Sequence, residues 1–225
     1  MCMKMKVASI SPKISVGNPT KNTDEIITIL DSLKQKNIDV IVFPELCLSG
    51  CTPGDLFLHD TLINACTTGI KKITEYSKNY SSHIIIGSPL KENDVLYNCA
   101  VHIYNGEIVE IISKKHLSTN ELRWFNSGYK IGNSQSLFDI VIGNDIYKEE
   151  FTADLIIHLS ATPALVTGYN NYKNFVKEYT SKRNCAYVSA FAGANESTTD
   201  YVYSGECIHV LNGDILLEDF FTEEE

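Results

Sequence analysis

The sequence predicts an α/β protein in which a mixed sheet, or a pair of sheets, is covered by helices. Short apolar blocks of strand length alternate along the chain with longer segments whose apolar residues recur at helical spacing. In addition, Asn-Gly pairs join two sets of neighbouring strands into hairpins. Because no stretch rich in proline, glycine or serine divides the chain, we predict that residues 1–225 form a single domain.

The first half of the chain contains three predicted strands and two predicted helices. The run Val40–Phe43 is apolar throughout, as in a strand buried on both faces, and Pro44 ends it. The segment Asn22-Thr-Asp-Glu25 is typical of a capping box and is predicted to open the first helix. Helical spacing of apolar residues predicts the second helix at Asp60–Tyr76. The other two predicted strands are Lys6–Ile10 and His83–Gly87.

Two hairpins are predicted, one in each half of the chain. The pairs Asn105-Gly106 and Asn212-Gly213 each lie between two strand-like runs, and both residue types tolerate the positive φ that a tight hairpin turn requires. Between the hairpins, the apolar pattern predicts one further helix at Tyr169–Arg183. It also predicts three strands, at Leu137–Ile142, Asp154–Leu159 and Cys185–Phe191.

The composition excludes several classes of protein. The chain carries 19 Lys and Arg against 28 Asp and Glu, a net charge of −9, which disfavours a nucleic-acid partner. No apolar run approaches the roughly 20 residues of a membrane span, so we expect no membrane partner. The seven cysteines show no framework spacing and no signal peptide precedes them, so we expect reduced thiols and a cytoplasmic location. Cys47, Cys51 and His59 lack a second ligand pair, and we expect no metal and no cofactor.

Three charged residues are candidates for chemistry because of where they fall. Glu45 follows Pro44 at the carboxyl end of a buried strand, a common location of ligand sites, and could act as a general base. The alternative is that it only caps the next turn. Lys114 ends the first hairpin and could stabilise an oxyanion, or could simply be exposed. Glu121 could join them, or could form a surface ion pair with the nearby Arg123.

A set of short segments runs in order along nearly the whole chain. Together they resemble the nitrilase (carbon–nitrogen hydrolase) superfamily, with particular likeness to the glutaminase domain of glutamine-dependent NAD synthetases. The segments are Phe43-Pro-Glu-Leu46, Leu48-Ser-Gly50, Gly87-Ser-Pro-Leu90, Leu96-Tyr-Asn98, Lys114, Glu121-Leu-Arg-Trp-Phe125, Leu159-Ser-Ala-Thr-Pro163, Asn195-Glu-Ser-Thr-Thr-Asp200 and Tyr203-Ser-Gly205.

The resemblance implies a four-layer αββα sandwich and a Glu-Lys-Cys catalytic triad that attacks an amide or nitrile carbon. By their positions, Glu45 matches the general base, Lys114 the lysine, and Glu121 a second, assisting glutamate. The position of the nucleophilic cysteine does not match, because the segment that should carry it reads Ile140-Val-Ile-Gly-Asn-Asp145 and places Gly143 there. Glycine cannot form a thioester.

We therefore predict a catalytically impaired protein that binds a small amide or serves as an assembly module, as a homo-oligomer or with an active homologue. One alternative is an active amidase or glutaminase that uses another thiol, Cys51 or Cys47, which lie near Glu45 in sequence. A second is an engineered Cys→Gly change, against which the short segments around Lys114 and after Asp145 argue. We expect Glu45 and Lys114 to form an ion pair and the remaining cleft to be small.

Overall fold

The structure is a computed structural model that describes residues 4–132 and 138–219. Within these ranges the chain forms three α-helices and eleven β-strands, and no helix has the length and apolar character needed to cross a bilayer. The helices are α1 (Pro19–Leu33), α2 (Asp60–Tyr76) and α3 (Gly168–Arg183). The strands are β1 (Val7–Ser9), β2 (Val40–Val42), β3 (His83–Glu92), β4 (Val95–Tyr104), β5 (Glu107–Ser113), β6 (Lys130–Ile131), β7 (Asp139–Ile142), β8 (Leu155–Ser160), β9 (Ala186–Phe191), β10 (Cys207–Leu211) and β11 (Asp214–Asp219).

In the described part of the chain the strands make two mixed sheets. The first has the order β1-β2-β3-β4-β5-β6, with parallel pairing from β1 to β3 and antiparallel pairing from there to β6. The second has the order β11-β10-β9-β8-β7, with β7, β8 and β9 parallel and the last two strands antiparallel. β5 runs antiparallel to β4, and β4 runs antiparallel to β3, so β5 has the same direction as β3 and β2. The carboxyl ends of β2 and β5 therefore lie at the same end of the sheet.

Alternate apolar residues of the inner strands pack on opposite sides of each sheet, as the period of two in a strand requires. Val40 and Val42 of β2 pack against the second sheet, whereas Ile41 packs against α1 and α2. In the second sheet, Ile157 of β8 faces the first sheet and Ile156 packs against α3. The layers are therefore helix, sheet, sheet, helix, and the predicted four-layer αββα sandwich is confirmed.

Most predicted elements lie where the sequence pattern put them. The bounds of α2 are the predicted ones, and the other strands and helices shift by a few residues at their ends. Both hairpin turns have the expected conformation, with φ of 49° and 82° at Asn105 and Gly106 and of 52° and 90° at Asn212 and Gly213. The predicted start of one strand at Leu137 lies outside the described residues.

The predicted start of the first helix was wrong. The helix begins at Pro19, with the side chain of Asn18 accepting a hydrogen bond from the backbone N–H of Lys21 at 3.2 Å. Asn22 instead lies buried inside the helix, where its side-chain amide donates to the backbone carbonyls of Ser15 at 3.0 Å and Leu48 at 2.9 Å. A tertiary contact thus uses the polar group that the local pattern assigned to a cap, and proline suits the first helical position.

Candidate active site

The candidate site forms where strands from both sheets end. Glu45 comes three residues after β2, Lys114 directly follows β5, and Gly143 directly follows β7. Glu45 and Lys114 are 2 % and 5 % exposed. The two sheets bring these positions together at one end of the sandwich, so the structure joins the residues that the family resemblance selected.

Lys114 lies between the two carboxylates. Its Nζ donates to Oε1 of Glu45 at 2.8 Å and to Oε1 of Glu121 at 2.7 Å. Burial by itself would lower the pKa of Lys114, but the two carboxylates outweigh it and hold that pKa above its usual value. Burial acts to raise the pKa of Glu121, yet Lys114 overcomes this and keeps it below its usual value. The predicted Glu45–Lys114 ion pair is present, and Glu121 extends it to a triad.

Two further hydrogen-bond donors fix the orientation of the Glu45 carboxylate. The side-chain amide of Asn98 donates to Oε1 at 2.7 Å, and the backbone N–H of Ala161 donates to Oε2 at 2.8 Å. The alternative role of Glu45 as a turn cap therefore does not hold. The alternative for Glu121 does not hold either, because Arg123 pairs with Asp55 at 3.2 Å instead.

Gly143 lies against this network. A Cβ added at this position would come within 2.6 Å of Lys114 Nζ and 3.1 Å of Glu45 Oε2. Its φ of +52° is also one that residues with a side chain rarely adopt. The Lys114 side chain thus occupies the space that a side chain at position 143 would need.

Asp145 ties the turn after Gly143 to the segment that carries Lys114. Its buried carboxylate accepts hydrogen bonds from the backbone N–H groups of Lys115 at 2.7 Å and His116 at 2.8 Å. The connection itself contains a single 3₁₀ turn, Gly143–Tyr147, before β8 begins, which agrees with the short segment noted in the sequence. Charge-assisted bonds of this kind are stronger than neutral ones and fix the relative position of the two loops.

A cleft of about 550 Å³ opens in front of the triad, and we call it the Glu45 cleft. Its volume is in the ordinary range for small-molecule sites, so the expectation of a small cleft was wrong. The reason is that aromatic side chains line the cleft and do not fill it. Those walls include Phe57, Trp124, Phe125, Tyr201 and Tyr203.

The two candidate thiols differ in their access to the Glu45 cleft. Cys47 is fully buried, and its thiol donates to the backbone carbonyl of Gly87 at 3.4 Å, so it does not line the cleft. Cys51 does line it. Burial raises the pKa of the Cys51 thiol well above its usual value, which keeps the thiol protonated. In the described part of the chain, no group of three or more His, Cys, Asp and Glu side chains could hold a metal ion.

Sequence reasoning did not single out Glu196, which is buried beside Cys51. Its carboxylate accepts a hydrogen bond from the backbone N–H of Cys51, and burial raises the pKa of Glu196 to about 7. The residue lies within the Asn195–Asp200 segment, but the pattern there gave no reason to separate it from its neighbours. Asn98 was also missed as a partner of Glu45, although the segment Leu96–Asn98 carried part of the resemblance.

Comparison with known proteins agrees with this geometry. The carbon–nitrogen hydrolase family model matches residues 6–207. A glutamine-dependent NAD(+) synthetase from Aquifex aeolicus is 30% identical over 206 residues, which cover 83% of this chain and 35% of that protein. The corresponding protein from Mycobacterium leprae is 26% identical over 95% of this chain and 36% of its own length. The chain thus spans about a third of the length of these curated relatives.

Solved structures support the same fold. A glutamine-dependent NAD+ synthetase from Acinetobacter baumannii superposes with a TM-score of 0.86 at 22% identity, over 98% of this chain and 44% of that one. A CN-hydrolase superfamily protein from Xanthomonas campestris, solved with an arsenic adduct in its active site, gives a TM-score of 0.79 at 14% identity. That match covers 99% of this chain and 89% of the other.

Proposed function

The chain belongs to the carbon–nitrogen hydrolase family, and we propose that it is a glutaminase-like member that retains the cleft but has lost covalent catalysis. One observation carries the proposal. Position 143 is where a side chain would reach both Glu45 and Lys114, and glycine supplies no nucleophilic atom there. Where several catalytic residues act together, loss of the nucleophile lowers the catalytic rate by about a millionfold, as measured for a serine protease.

The remaining groups suit binding. Lys114 and its two carboxylates present a charged floor, and Trp124 and Tyr203 add apolar walls, a combination that fits a small amide ligand. We propose a cytoplasmic binding or assembly module that forms a homo-oligomer or associates with an active homologue. The loop after β8 supports association, because Leu165 and Val166 are 71% and 104% exposed there, which is unusual for neighbouring large apolar side chains.

A second candidate function is an active amidase or glutaminase that uses Cys51. In its favour, Cys51 lines the Glu45 cleft and lies beside Glu196, whose pKa of about 7 suits a general base. Against it, burial raises the pKa of Cys51, so that little thiolate is present. We favour the first candidate, a protein that has lost covalent catalysis, because Glu45 and Lys114 lie against Gly143.

The two candidates predict different covalent states of the protein. We expect the intact mass of the unmodified chain to be unchanged after incubation with glutamine and rapid acid quenching, because no thiolate faces the Glu45–Lys114 pair. Mass spectrometry of the unmodified chain and of Cys51→Ala, side by side, makes the measurement. A glutamyl adduct on the unmodified chain that disappears in Cys51→Ala would establish the second candidate and refute the first.

A further inference from the structure

A second cavity, of about 390 Å³, adjoins the Glu45 cleft. The two share Asn144, Thr162 and Pro163 as walls, but the charged triad does not line the second one. Its lining comes from the turn after β7, the loop after β8, the first turn of α3, and the strands of the second sheet. The function proposed above makes no use of this cavity.

Aromatic rings form much of its wall. Tyr147, Tyr169, Tyr172 and Phe191 all line it, and the exposed lining is mostly apolar. The rings of Tyr172 and Phe191 have centroids 5.1 Å apart, and those of Tyr169 and Tyr172 are 6.4 Å apart. Aromatic faces carry a partial negative charge that attracts cations, and the attraction grows when the cation is shielded from water.

An acidic side chain lines the same cavity. Glu206 lines it and is 8% exposed. Burial raises the pKa of Glu206, while the hydroxyl of Ser204, a neutral partner, acts in the opposite direction. In the part of the chain that the structure describes, neither Lys nor Arg lines the cavity. Lys173 Nζ lies 5.8 Å from the centroid of the Tyr169 ring, but its charge is paired with Glu218 at 2.7 Å.

Histidine does not supply the missing positive charge. His158 lines the cavity, but burial lowers its pKa to about 3, so the ring is neutral. Its Nε2 lies 2.9 Å from the backbone carbonyl of Gly143 and therefore donates a hydrogen bond, while Nδ1 accepts one from the hydroxyl of Tyr187. Both ring nitrogens are thus in use, and the ring adds another aromatic face.

We propose that this second cavity binds a small alkylated ammonium ion, whose charge pairs with Glu206 and whose methyl groups pack on Tyr147, Tyr169, Tyr172 and Phe191. A methylated ammonium fits better than a primary one, because a primary ammonium needs several hydrogen-bond acceptors and the wall is mostly apolar. The N-terminal end of α3 borders the cavity and disfavours a cation, so binding depends on the Glu206 carboxylate.

The test compares two probes of the same shape on the unmodified chain. Choline carries the quaternary ammonium, and 3,3-dimethyl-1-butanol replaces its nitrogen with carbon. By calorimetric titration we expect choline to bind at least about tenfold more tightly than the neutral alcohol, the scale of one cation–aromatic and ion-pair contribution. Equal affinities, or no choline binding at millimolar concentrations, would overturn the proposal.

A charge-removing variant locates the site. Glu206→Gln keeps the size of the side chain and is expected to weaken choline binding by at least about threefold, with the affinity for the neutral alcohol unchanged. Glu178→Gln is the matched control, since it makes the same change of net charge on the exposed surface of α3, outside the cavity. Unchanged choline affinity in Glu206→Gln, or an equal loss in both variants, would refute this site. These outcomes do not depend on whether the Glu45 cleft is catalytic.

Discussion

Replacing Lys114 with methionine is expected to destabilise the protein by about 3–5 kcal/mol, the usual cost of removing one partner from a buried ion pair. The ammonium lies between the Glu45 and Glu121 carboxylates, at 2.8 and 2.7 Å. Without it, two negative charges face each other in a site that water reaches poorly. Urea unfolding at pH 7 of the unmodified chain and of Lys114→Met measures the difference in the free energy of unfolding.

The effect should depend on pH in a defined direction. Lys114 keeps the pKa of Glu121 below its usual value of 4.5, so the stabilisation from this pair is complete above that value and is lost as the pH falls through the lowered pKa. In Lys114→Met the Glu121 carboxylate loses this cation, so its pKa is no longer held below the usual value. The gap in unfolding free energy between the two proteins should therefore shrink as the pH is lowered from 7.

Lys115→Met is the matched control for the lysine change. Lys115 is next in the chain, and its side chain is 55% exposed where it pairs with Glu149. An exposed pair contributes little, so the expected loss is below about 1 kcal/mol. Equal losses in the two variants would mean that the triad is no more important to stability than a surface ion pair.

Gly143→Ala is expected to be more destabilising than a change to alanine at another left-handed glycine. The new Cβ would lie 2.6 Å from Lys114 Nζ. The Lys114 side chain cannot move away from it without breaking its hydrogen bonds to Glu45 and Glu121. Overpacking of this kind costs about 1–3 kcal/mol, in addition to about 1–2 kcal/mol for the positive φ. For the same reason, Gly143→Cys should destabilise the protein and restore little activity.

Gly54 offers a control with the same backbone strain and no steric contact. Its φ is +61°, and a Cβ added there meets nothing within 4 Å. Gly54→Ala should therefore show only the cost of the positive φ, and the difference between the two variants in thermal or urea unfolding isolates the contact with Lys114. If both variants lose the same stability, Lys114 does not occupy the nucleophile position as described.

The strands and helices could be predicted from local patterns, whereas the four-layer fold and the roles of Glu45 and Lys114 were implied by the family resemblance. The β2 strand is apolar throughout since it packs on both faces, and Glu45 and Lys114 are marked by their positions at strand ends. Glu196 could not be predicted in this way, because it comes from a loop 145 residues away from Cys51 and only the tertiary fold brings the two together. The cleft volume likewise depends on where Trp124 and Tyr203 point, which neighbouring residues do not reveal.

The same limit explains the error at the first helix. The capping-box pattern at Asn22 takes account only of residues close by in sequence. In the structure, the side-chain amide of Asn22 donates a hydrogen bond to the backbone carbonyl of Leu48, 26 residues away. Pro19, three residues before Asn22, was the stronger local signal, because its fixed φ suits the first turn of a helix. Polar residues near a helix start therefore need not be caps when a buried loop lies next to them.

The most direct test of the central claim is the initial rate of ammonia release from glutamine. We expect the unmodified chain and Glu45→Gln both to release ammonia at the rate of a blank without protein, because Gly143 gives the Glu45–Lys114 pair no nucleophile to activate. A rate clearly above the blank for the unmodified chain that falls to the blank in Glu45→Gln would show that the cleft performs catalysis, and would contradict the loss of covalent catalysis proposed for this protein.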